Sequence, residues 1–220
     1  MISPGIDVVI FDWDGTLVDT GGILLSCWHT ATESVLGYRF PVEESDRRRV
    51  LAMRAADSFP TLTSGPEQTE ALARAFDTAY EPMAAEHVRA YAGAVELLEG
   101  LKSAGVRVGV VTSKTSFRRA IDGAVCGLDP LIDLFVTGDD VTKGKPDPEG
   151  LRWAMAELGG AIHDTVYVGD GPVDARTGSA AGVATILVSQ GLHAEEEFAD
   201  VSPDLVVKDL FEVAAALGYP

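Results

Sequence analysis

Residues 8–20, VVIFDWDGTLVDT, constrain the fold of this chain more than any other stretch of the sequence. The apolar run from Val8 to Phe11 predicts a strand that is buried on both faces. This strand leads into Asp12 and Asp14, two carboxylates that would repel each other and lose hydration there. A divalent cation removes that cost, because Mg²⁺ prefers hard oxygen ligands. We therefore interpret the end of this strand as an active site, with Gly15 allowing a tight turn.

Strand and helix patterns alternate along the second half of the chain. Short apolar runs predict the strands, and amphipathic spacing predicts the helices between them. The predicted strands cover residues 106–112, 134–137, 165–168, 184–188 and 205–207, and the predicted helices cover residues 95–104, 117–124, 148–158, 173–181 and 210–217. This alternation implies a parallel sheet with right-handed crossovers, in which ligands bind beyond the carboxyl ends of the strands. The expected fold class is α/β, with a Rossmann-like parallel sheet as its core.

Between the first strand and residue 88 the apolar residues follow helical spacing. Ile23, Cys27 and Ala31 lie on a stripe that predicts a helix ending near Gly37. Further helices are predicted over residues 41–53 and 66–83. We interpret residues 20–87 as an inserted α-helical cap, and residues 1–19 together with 88–220 as the α/β core. The glycine-bearing stretches 19–21 and 88–93 are expected to act as hinges between the two.

The composition excludes several classes of partner. The chain has 34 acidic and 17 basic side chains and a formal net charge of −17, which repels nucleic acid and anionic membranes. We therefore expect no nucleic-acid partner and no membrane partner. No apolar run is long enough for a membrane span, no signal-peptide pattern begins the chain, and Cys27 and Cys126 lack metal-site or disulfide spacing. These features predict a cytoplasmic protein.

Four polar clusters follow predicted strands. They are Asp12 with Asp14, the Thr-Ser-Lys run at 112–114, the Lys-Gly-Lys-Pro run at 143–146, and Asp170 with Asp174. Together they supply carboxylates, a hydroxyl and a lysine, which suits Mg²⁺-assisted phosphoryl transfer to a carboxylate nucleophile. In such a site the carboxylates hold the metal, the metal and the lysine neutralise the phosphoryl oxygens, and the hydroxyl orients them.

The motifs DWDGTLVDT, VVTSK, KGKPDP and VGDGPVDARTGSAAG resemble, in this order, the four motifs of the haloacid dehalogenase superfamily. More narrowly, the chain resembles the phosphoglycolate phosphatase-like branch, in which a helical cap lies between the first and second motifs. Four motifs in order are far more specific than any one of them. The resemblance spans nearly the whole chain. It implies a Mg²⁺-dependent phosphatase, monomeric or homodimeric, whose substrate is a small phosphorylated metabolite.

The resemblance also implies a role for each matching residue. Asp12 would be the nucleophile that becomes an aspartyl-phosphate. Asp14 would protonate the leaving oxygen and then deprotonate the attacking water. Thr112 would hydrogen-bond the phosphoryl group, and Lys145 would neutralise the phosphoryl group and the nucleophile.

The implied Mg²⁺ ligands are Asp12, the backbone carbonyl of Asp14, and Asp170, with Asp174 in support. Electrostatics agrees with the assignment of different roles to the carboxyl groups of Asp12 and Asp14. Asp12 can stay ionised on the metal, whereas a neighbouring carboxyl off the metal can carry a proton at neutral pH.

Further contacts to phosphate or substrate are expected from Trp13 (through its backbone N–H), Gly15, Ser113, Lys114 and Arg54. Either Thr112 or Ser113 is expected to face the site, and the other to cap the next helix. Arg54, in the predicted cap, could pair with a second anionic group of the substrate. Lys114 would attract substrate. The four histidines show no partner spacing and are interpreted as structural or surface residues.

Several functions fit these motifs. The leading hypothesis is a phosphatase, with phosphoglycolate as a candidate substrate. The alternatives are a pyrophosphatase, a β-phosphoglucomutase-like sugar phosphate mutase that uses the same aspartyl-phosphate, and a binding protein without turnover. By the resemblance, Thr16 and Ala55 favour a phosphatase over the mutase. Ala52 stands where phosphoglycolate phosphatases commonly carry glycine.

Overall fold

The computed structural model describes residues 5–193 and 195–219. Within them the strands are β1 (Val8–Phe11), β2 (Val18–Asp19), β3 (Arg89–Ala90), β4 (Arg107–Val111), β5 (Leu134–Val136), β6 (Thr165–Gly169), β7 (Ala184–Val188) and β8 (Leu205–Val207). The helices are α1 (Gly21–Leu36), α2 (Glu44–Ala52), α3 (Ala55–Ser58), α4 (Pro66–His87), α5 (Ala94–Ser103), α6 (Ser116–Cys126), α7 (Glu149–Leu158), α8 (Pro172–Ala181) and α9 (Leu210–Leu217).

Six strands form one parallel sheet in the order β5-β4-β1-β6-β7-β8. β1 pairs with β4 on one side and with β6 on the other, in registers that begin at Val8↔Arg107 and Val8↔Thr165. Val8 and Ile10 belong to one buried apolar cluster, and Val9 and Phe11 belong to another. Both faces of the central strand are therefore covered, which is why its sequence is apolar without alternation. The predicted α/β fold is confirmed.

The segment between β2 and β3 is helical, as its spacing predicts. α1 packs along α4, and the Trp28 ring lies 5.0 Å from the ring of Phe59 and 5.4 Å from that of Phe76. α4 continues to His87, past the predicted end at residue 83, although it contains Pro82. These aromatic residues belong to the same apolar cluster as one face of the sheet. The helical segment is thus packed onto the sheet domain.

A two-stranded antiparallel sheet joins the two ends of the helical segment. Val18 pairs with Ala90, and Asp19 pairs with Arg89. Hinges and no strands are predicted here from the sequence, because two residues are too few for a periodic pattern.

Cys27 and Cys126 are both free, in agreement with their lack of disulfide spacing. In the described ranges, no helix combines the length and apolar character that crossing a membrane requires.

Candidate active site

The carboxyl ends of β1, β4 and β6 meet at one small cavity. Asp12 directly follows β1, Thr112 follows β4, and Asp170 follows β6. Lys145 lines the same cavity from the loop before α7, and Leu51 lines it from α2. The volume is about 30 Å³, which is room for about two water molecules. The residues predicted to carry the chemistry therefore lie together, with Leu51 of α2 in the lining of the same space.

Lys145 joins two carboxylates at the centre of this site. Its Nζ lies 2.7 Å from Oδ1 of Asp12 and 2.7 Å from Oδ1 of Asp174. Burial alone would lower the pKa of Lys145, but the charges of the two aspartates raise it above its ordinary value. The ammonium therefore stays charged. Asp174 also lies in the first turn of α8, where its Oδ2 accepts a hydrogen bond from the backbone N–H of the N-cap residue Gly171 at 3.1 Å.

Asp12, Asp170 and Asp174 form a cluster that could hold a metal ion. Each is buried and offers an oxygen within 4.8 Å of the others. Burial raises the pKa of Asp12 to about 7, although Lys145 opposes the shift. Burial and the charges of the other two aspartates raise the pKa of Asp170 well above its ordinary value. Three carboxylates beside one ammonium leave two negative charges. The donor set therefore fits a divalent cation such as Mg²⁺.

Asp14 lies beside this cluster, and its side chain is 17% exposed. Its Oδ1 accepts a hydrogen bond from the hydroxyl of Thr20 at 2.5 Å and contacts the Nζ of Lys114 at 2.6 Å. Among the hydrogen bonds between described residues, none reaches Oδ2. Asp14 therefore has one oxygen fixed by the protein, and its other oxygen accepts no hydrogen bond from the described residues.

Thr112 and Ser113 both line the cavity. The hydroxyl of Thr112 accepts a hydrogen bond from the backbone N–H of Lys114 at 3.1 Å, which fixes the turn after β4. The N-cap of the following helix is Thr115, whose hydroxyl accepts from the N–H of Arg118. The prediction that Thr112 or Ser113 caps α6 is therefore wrong. Both are free to face the site.

The loop after β1 comes very close to Asp170 at Gly15. Gly15 has φ +79°, and a Cβ built there would lie 2.1 Å from Oδ2 of Asp170. Glycine is thus required both by the backbone conformation and by the contact. The Trp13 side chain is fully buried, and its indole N–H donates to Asp122 at 3.1 Å. In the part of the chain that the structure describes, the backbone N–H of Trp13 donates to no protein acceptor and remains available to an oxygen ligand.

Comparisons with known proteins assign the fold and the motifs to one family. The family description that matches residues 9–188 is haloacid dehalogenase-like hydrolase. This chain belongs to that family. It is 29% identical to the pyrophosphatase PpaX of Bacillus pumilus, over 99% of both chains. It is 33% identical to the phosphoglycolate phosphatase of Rhodospirillum rubrum, over 96% of this chain and 91% of that protein. A hydrolase of Pseudomonas syringae superposes with TM-score 0.85 at 25% identity, over 96% of this chain and 97% of that structure.

In this haloacid dehalogenase-like hydrolase, Lys114 differs from its prediction. Its side chain is 1% exposed. The ammonium contacts Asp14 at 2.6 Å, Asp122 at 2.5 Å and the hydroxyl of Tyr80 at 2.6 Å. An ammonium has three N–H donors, so these contacts use all of them. Lys114 therefore has no donor left with which to attract substrate.

Arg54 also differs from its prediction in this hydrolase. Its Nε lies 2.7 Å from Asp57, and its Nη1 donates to the backbone carbonyls of Gly138 at 3.2 Å and Val141 at 3.1 Å. The guanidinium is attracted by the carboxylate of Asp57 and by the carbonyl oxygens of Gly138 and Val141, which lie in the loop after β5. Arg54 therefore ties the helical segment to the core loop, and its donors are directed at protein oxygens.

Three residues around the site are not predicted from the sequence. The hydroxyl of Tyr167 donates to Asp174 at 2.8 Å, and the backbone N–H of Leu192 donates to Asp170 at 2.5 Å. His193 lines the cavity, and its Nδ1 lies 3.2 Å from Glu197. His193 and Glu197 are four positions apart, a spacing at which side chains often pair, so the prediction that the histidines lack partner spacing is wrong for His193. The contacts of Tyr167 and Leu192 correspond to no recognisable pattern in the local sequence.

Proposed function

We propose that this chain is a Mg²⁺-dependent phosphatase that hydrolyses a small phosphomonoester through an aspartyl-phosphate on Asp12. The observation that carries the proposal is the buried group of Asp12, Lys145 and Asp174, with Asp170 and Asp14 beside it. This group supplies a nucleophile, a fixed positive charge and a separate carboxyl for proton transfer, which is the set that phosphoryl transfer to a carboxylate requires.

In the first step, a carboxylate oxygen of Asp12 attacks phosphorus and forms the new O–P bond. The bond between phosphorus and the leaving oxygen breaks at the same time, and that oxygen takes the proton of Asp14. Lys145 stabilises the negative charge on the phosphoryl oxygens, because its ammonium already lies 2.7 Å from the nucleophile.

In the second step, water attacks phosphorus and passes its proton to the carboxylate of Asp14. The bond between phosphorus and Asp12 breaks, so that inorganic phosphate leaves and both carboxyl groups return to their starting states. The available Oδ2 of Asp14 suits both transfers. Thr112 and Ser113, which line the cavity, would hydrogen-bond the phosphoryl group.

Mg²⁺ would be held by Asp12, Asp170 and the backbone carbonyl of Asp14, with Asp174 in support, and would neutralise charge on the phosphoryl group. The raised pKa of Asp12 supports this assignment, because burial leaves the carboxylate short of positive charge.

Residues 20–87 would serve as the cap. The cavity under Leu51 measures about 30 Å³, whereas small-molecule sites usually measure at least about 300 Å³. Substrate therefore enters only when the helical segment moves. Closure then excludes water while the phosphoryl group is transferred to Asp12.

The names of the relatives guide the choice of substrate. Proteins that match nearly the whole chain are named pyrophosphatase and phosphoglycolate phosphatase. Both names describe small substrates with a second anionic group. We therefore propose the phosphomonoester 2-phosphoglycolate as the first candidate, with the phosphoanhydride pyrophosphate as the alternative substrate for the same transfer to Asp12.

The test measures phosphate release from 2-phosphoglycolate, pyrophosphate, hexose phosphates and nucleoside monophosphates, with Mg²⁺ and with EDTA. We expect release that depends on Mg²⁺ and is lost in Asp12→Asn while the fold is retained by circular dichroism. The matched control is Asp7→Asn, the same exchange at an exposed position just before β1, which is expected to be fully active. Turnover by Asp12→Asn at the unmodified rate would refute the proposal, and isomerised sugar phosphate without free phosphate would support the mutase instead.

A further inference from the structure

A buried polar network connects Asp14 to the helical segment. Lys114 follows β4, Asp122 lies on α6, and Tyr80 lies on α4. Lys114 contacts Asp14, Asp122 and the hydroxyl of Tyr80 at 2.5 to 2.6 Å. Tyr80 in turn donates to the other oxygen of Asp122 at 2.7 Å. The network therefore runs from a helix of the segment, through the core, to a carboxyl group of the site.

Every member of this network is nearly or completely inaccessible to solvent, apart from Asp14. Asp122 and Tyr80 are 0% exposed, and the side chain of Lys114 is 1% exposed. Asp122 accepts a third hydrogen bond from the indole of Trp13. An ammonium buried at this depth is stable only when all its donors are satisfied. If the hydroxyl of Tyr80 withdraws, Lys114 loses one of three partners, and its position beside Asp14 is no longer fixed.

We propose that Lys114 is a positioning residue for Asp14, and that Tyr80 makes this positioning depend on the seating of α4 against α6. The proposal rests on the proposed function, in which Asp14 exchanges protons with the leaving oxygen and with water. Lys114 and Thr20 occupy Oδ1 of Asp14, so that Oδ2 is the oxygen that transfers the proton. When α4 moves away, Lys114 shifts and the carboxyl group of Asp14 turns with it. The network thus couples closure of the helical segment to proton transfer.

Substrates with different leaving groups can distinguish a role of Lys114 and Tyr80 in positioning Asp14 from a role in general structural support. An alkyl oxygen needs the proton of Asp14 as its bond to phosphorus breaks, whereas p-nitrophenolate leaves without one. The value of kcat/KM reports this first step for both substrates. Misplacement of Asp14 therefore lowers kcat/KM for an alkyl phosphate, and spares it for p-nitrophenyl phosphate.

The first variant is Tyr80→Phe, which removes the hydroxyl and keeps the ring that stacks on Phe76. We expect kcat/KM to fall about tenfold for an alkyl phosphate and less than about twofold for p-nitrophenyl phosphate. Lys114→Met is expected to show the same pattern more strongly. The matched control is Asp77→Asn, which weakens a different contact between α4 and α6, the 3.0 Å ion pair with Arg118, and leaves the hydroxyl of Tyr80 in place. It is expected to affect both substrates equally.

A spectroscopic measurement tests the network without turnover. The indole N–H resonance of Trp13, assigned from its loss in Trp13→Phe, reports on Asp122. We expect this resonance to shift in Tyr80→Phe and to stay in place in Asp77→Asn, with the exposed Trp153 as an internal reference. An unmoved Trp13 resonance, or equal losses for both substrates in Tyr80→Phe, would overturn the proposal. An unmodified protein that hydrolyses no phosphate ester would overturn the proposed function instead.

Discussion

The hydroxyl of Tyr167 donates to Oδ1 of Asp174 at 2.8 Å, the same oxygen that Lys145 contacts at 2.7 Å. Tyr167 lies on β6 and is fully buried. Burial and the charge of Asp174 raise the pKa of the tyrosine well above its ordinary value, so the hydroxyl remains a donor. Asp174 is therefore held from the sheet side at Oδ1, while its Oδ2 accepts hydrogen bonds from the backbone N–H groups of Asp170 at 3.3 Å and Gly171 at 3.1 Å.

The first prediction follows from this contact. Tyr167→Phe is expected to lower the free energy of unfolding by about 1–2 kcal/mol, because Asp174 loses a buried donor. It should also weaken Mg²⁺ binding about tenfold, since groups that orient a ligand set its affinity. Urea unfolding and calorimetric titration with Mg²⁺ measure the two effects. Tyr38→Phe is the matched control, because Tyr38 is exposed. Unchanged Mg²⁺ affinity in Tyr167→Phe would contradict the argument.

The second prediction concerns pH. Burial raises the pKa of Asp12 to about 7 in the folded, metal-free protein, whereas an unfolded aspartate titrates near about 3.9. The folded state therefore binds more protons between these values, and the stability of the metal-free protein falls as pH rises through this window. Thermal unfolding in EDTA from about pH 5 to pH 8 measures the slope.

Mg²⁺ should reverse part of that slope, because binding requires the deprotonated carboxylate. The stabilisation by Mg²⁺ is expected to grow as pH rises past about 7. Asp12→Asn serves as the control: it removes the titrating group, so the slope in EDTA should become shallower. A slope that is unchanged in Asp12→Asn would mean that other groups carry the pH dependence.

The third prediction tests the close approach of Gly15 to Asp170. Gly15→Ala forces a Cβ to within 2.1 Å of Oδ2 of Asp170 at a φ of +79°. We expect at least about a hundredfold loss of activity, since a displacement of about 1 Å in a site has this effect. Gly100→Ala is the control, because Gly100 lies within α5 with open space around it. That exchange should stabilise the protein by up to about 1 kcal/mol. An active Gly15→Ala variant would show that this loop has room to move.

The fourth prediction separates two roles for Arg54. If Arg54 ties the helical segment to the loop at residues 138–142, Arg54→Met should lower the free energy of unfolding by about 1–2 kcal/mol. It should also raise KM equally for 2-phosphoglycolate and for ethyl phosphate. Arg74→Met, at an exposed ion pair on α4, is the control, with an expected effect below about 0.5 kcal/mol. A KM increase confined to 2-phosphoglycolate would support the original prediction of a direct contact with a second anionic group.

The sheet and the main site residues can be predicted from the sequence because their signals are local. β1 is one apolar run, and the polar residues that end β1, β4 and β6 must meet at one edge of a parallel sheet. Neither inference needs knowledge of helix packing. The same reasoning brings Asp12, Thr112 and Asp170 to one cavity.

The network around Lys114 could not be predicted in this way. Tyr80 and Asp122 are 42 positions apart, and Trp13 and Asp122 are 109 positions apart. The contact of Tyr80 with Asp122 depends on how α4 packs on α6, and that of Trp13 depends on how α6 packs beside the loop after β1. No periodicity in the sequence encodes either packing. Lysine is also rarely buried without partners. A lysine next to a phosphate motif is therefore naturally interpreted as an exposed substrate contact.

The two-residue pairing of β2 with β3 has a consequence for how the helical segment is attached to the core. Val18↔Ala90 and Asp19↔Arg89 bring the chain back to about 5 Å from where it left the core. An insertion whose ends are already adjacent adds no gap for the core to bridge, so this junction sets no limit on the length of chain between its two ends. The covalent path of the core is thus nearly continuous from β2 to β3, and the segment between them is fixed by its packing and not by the spacing of its ends.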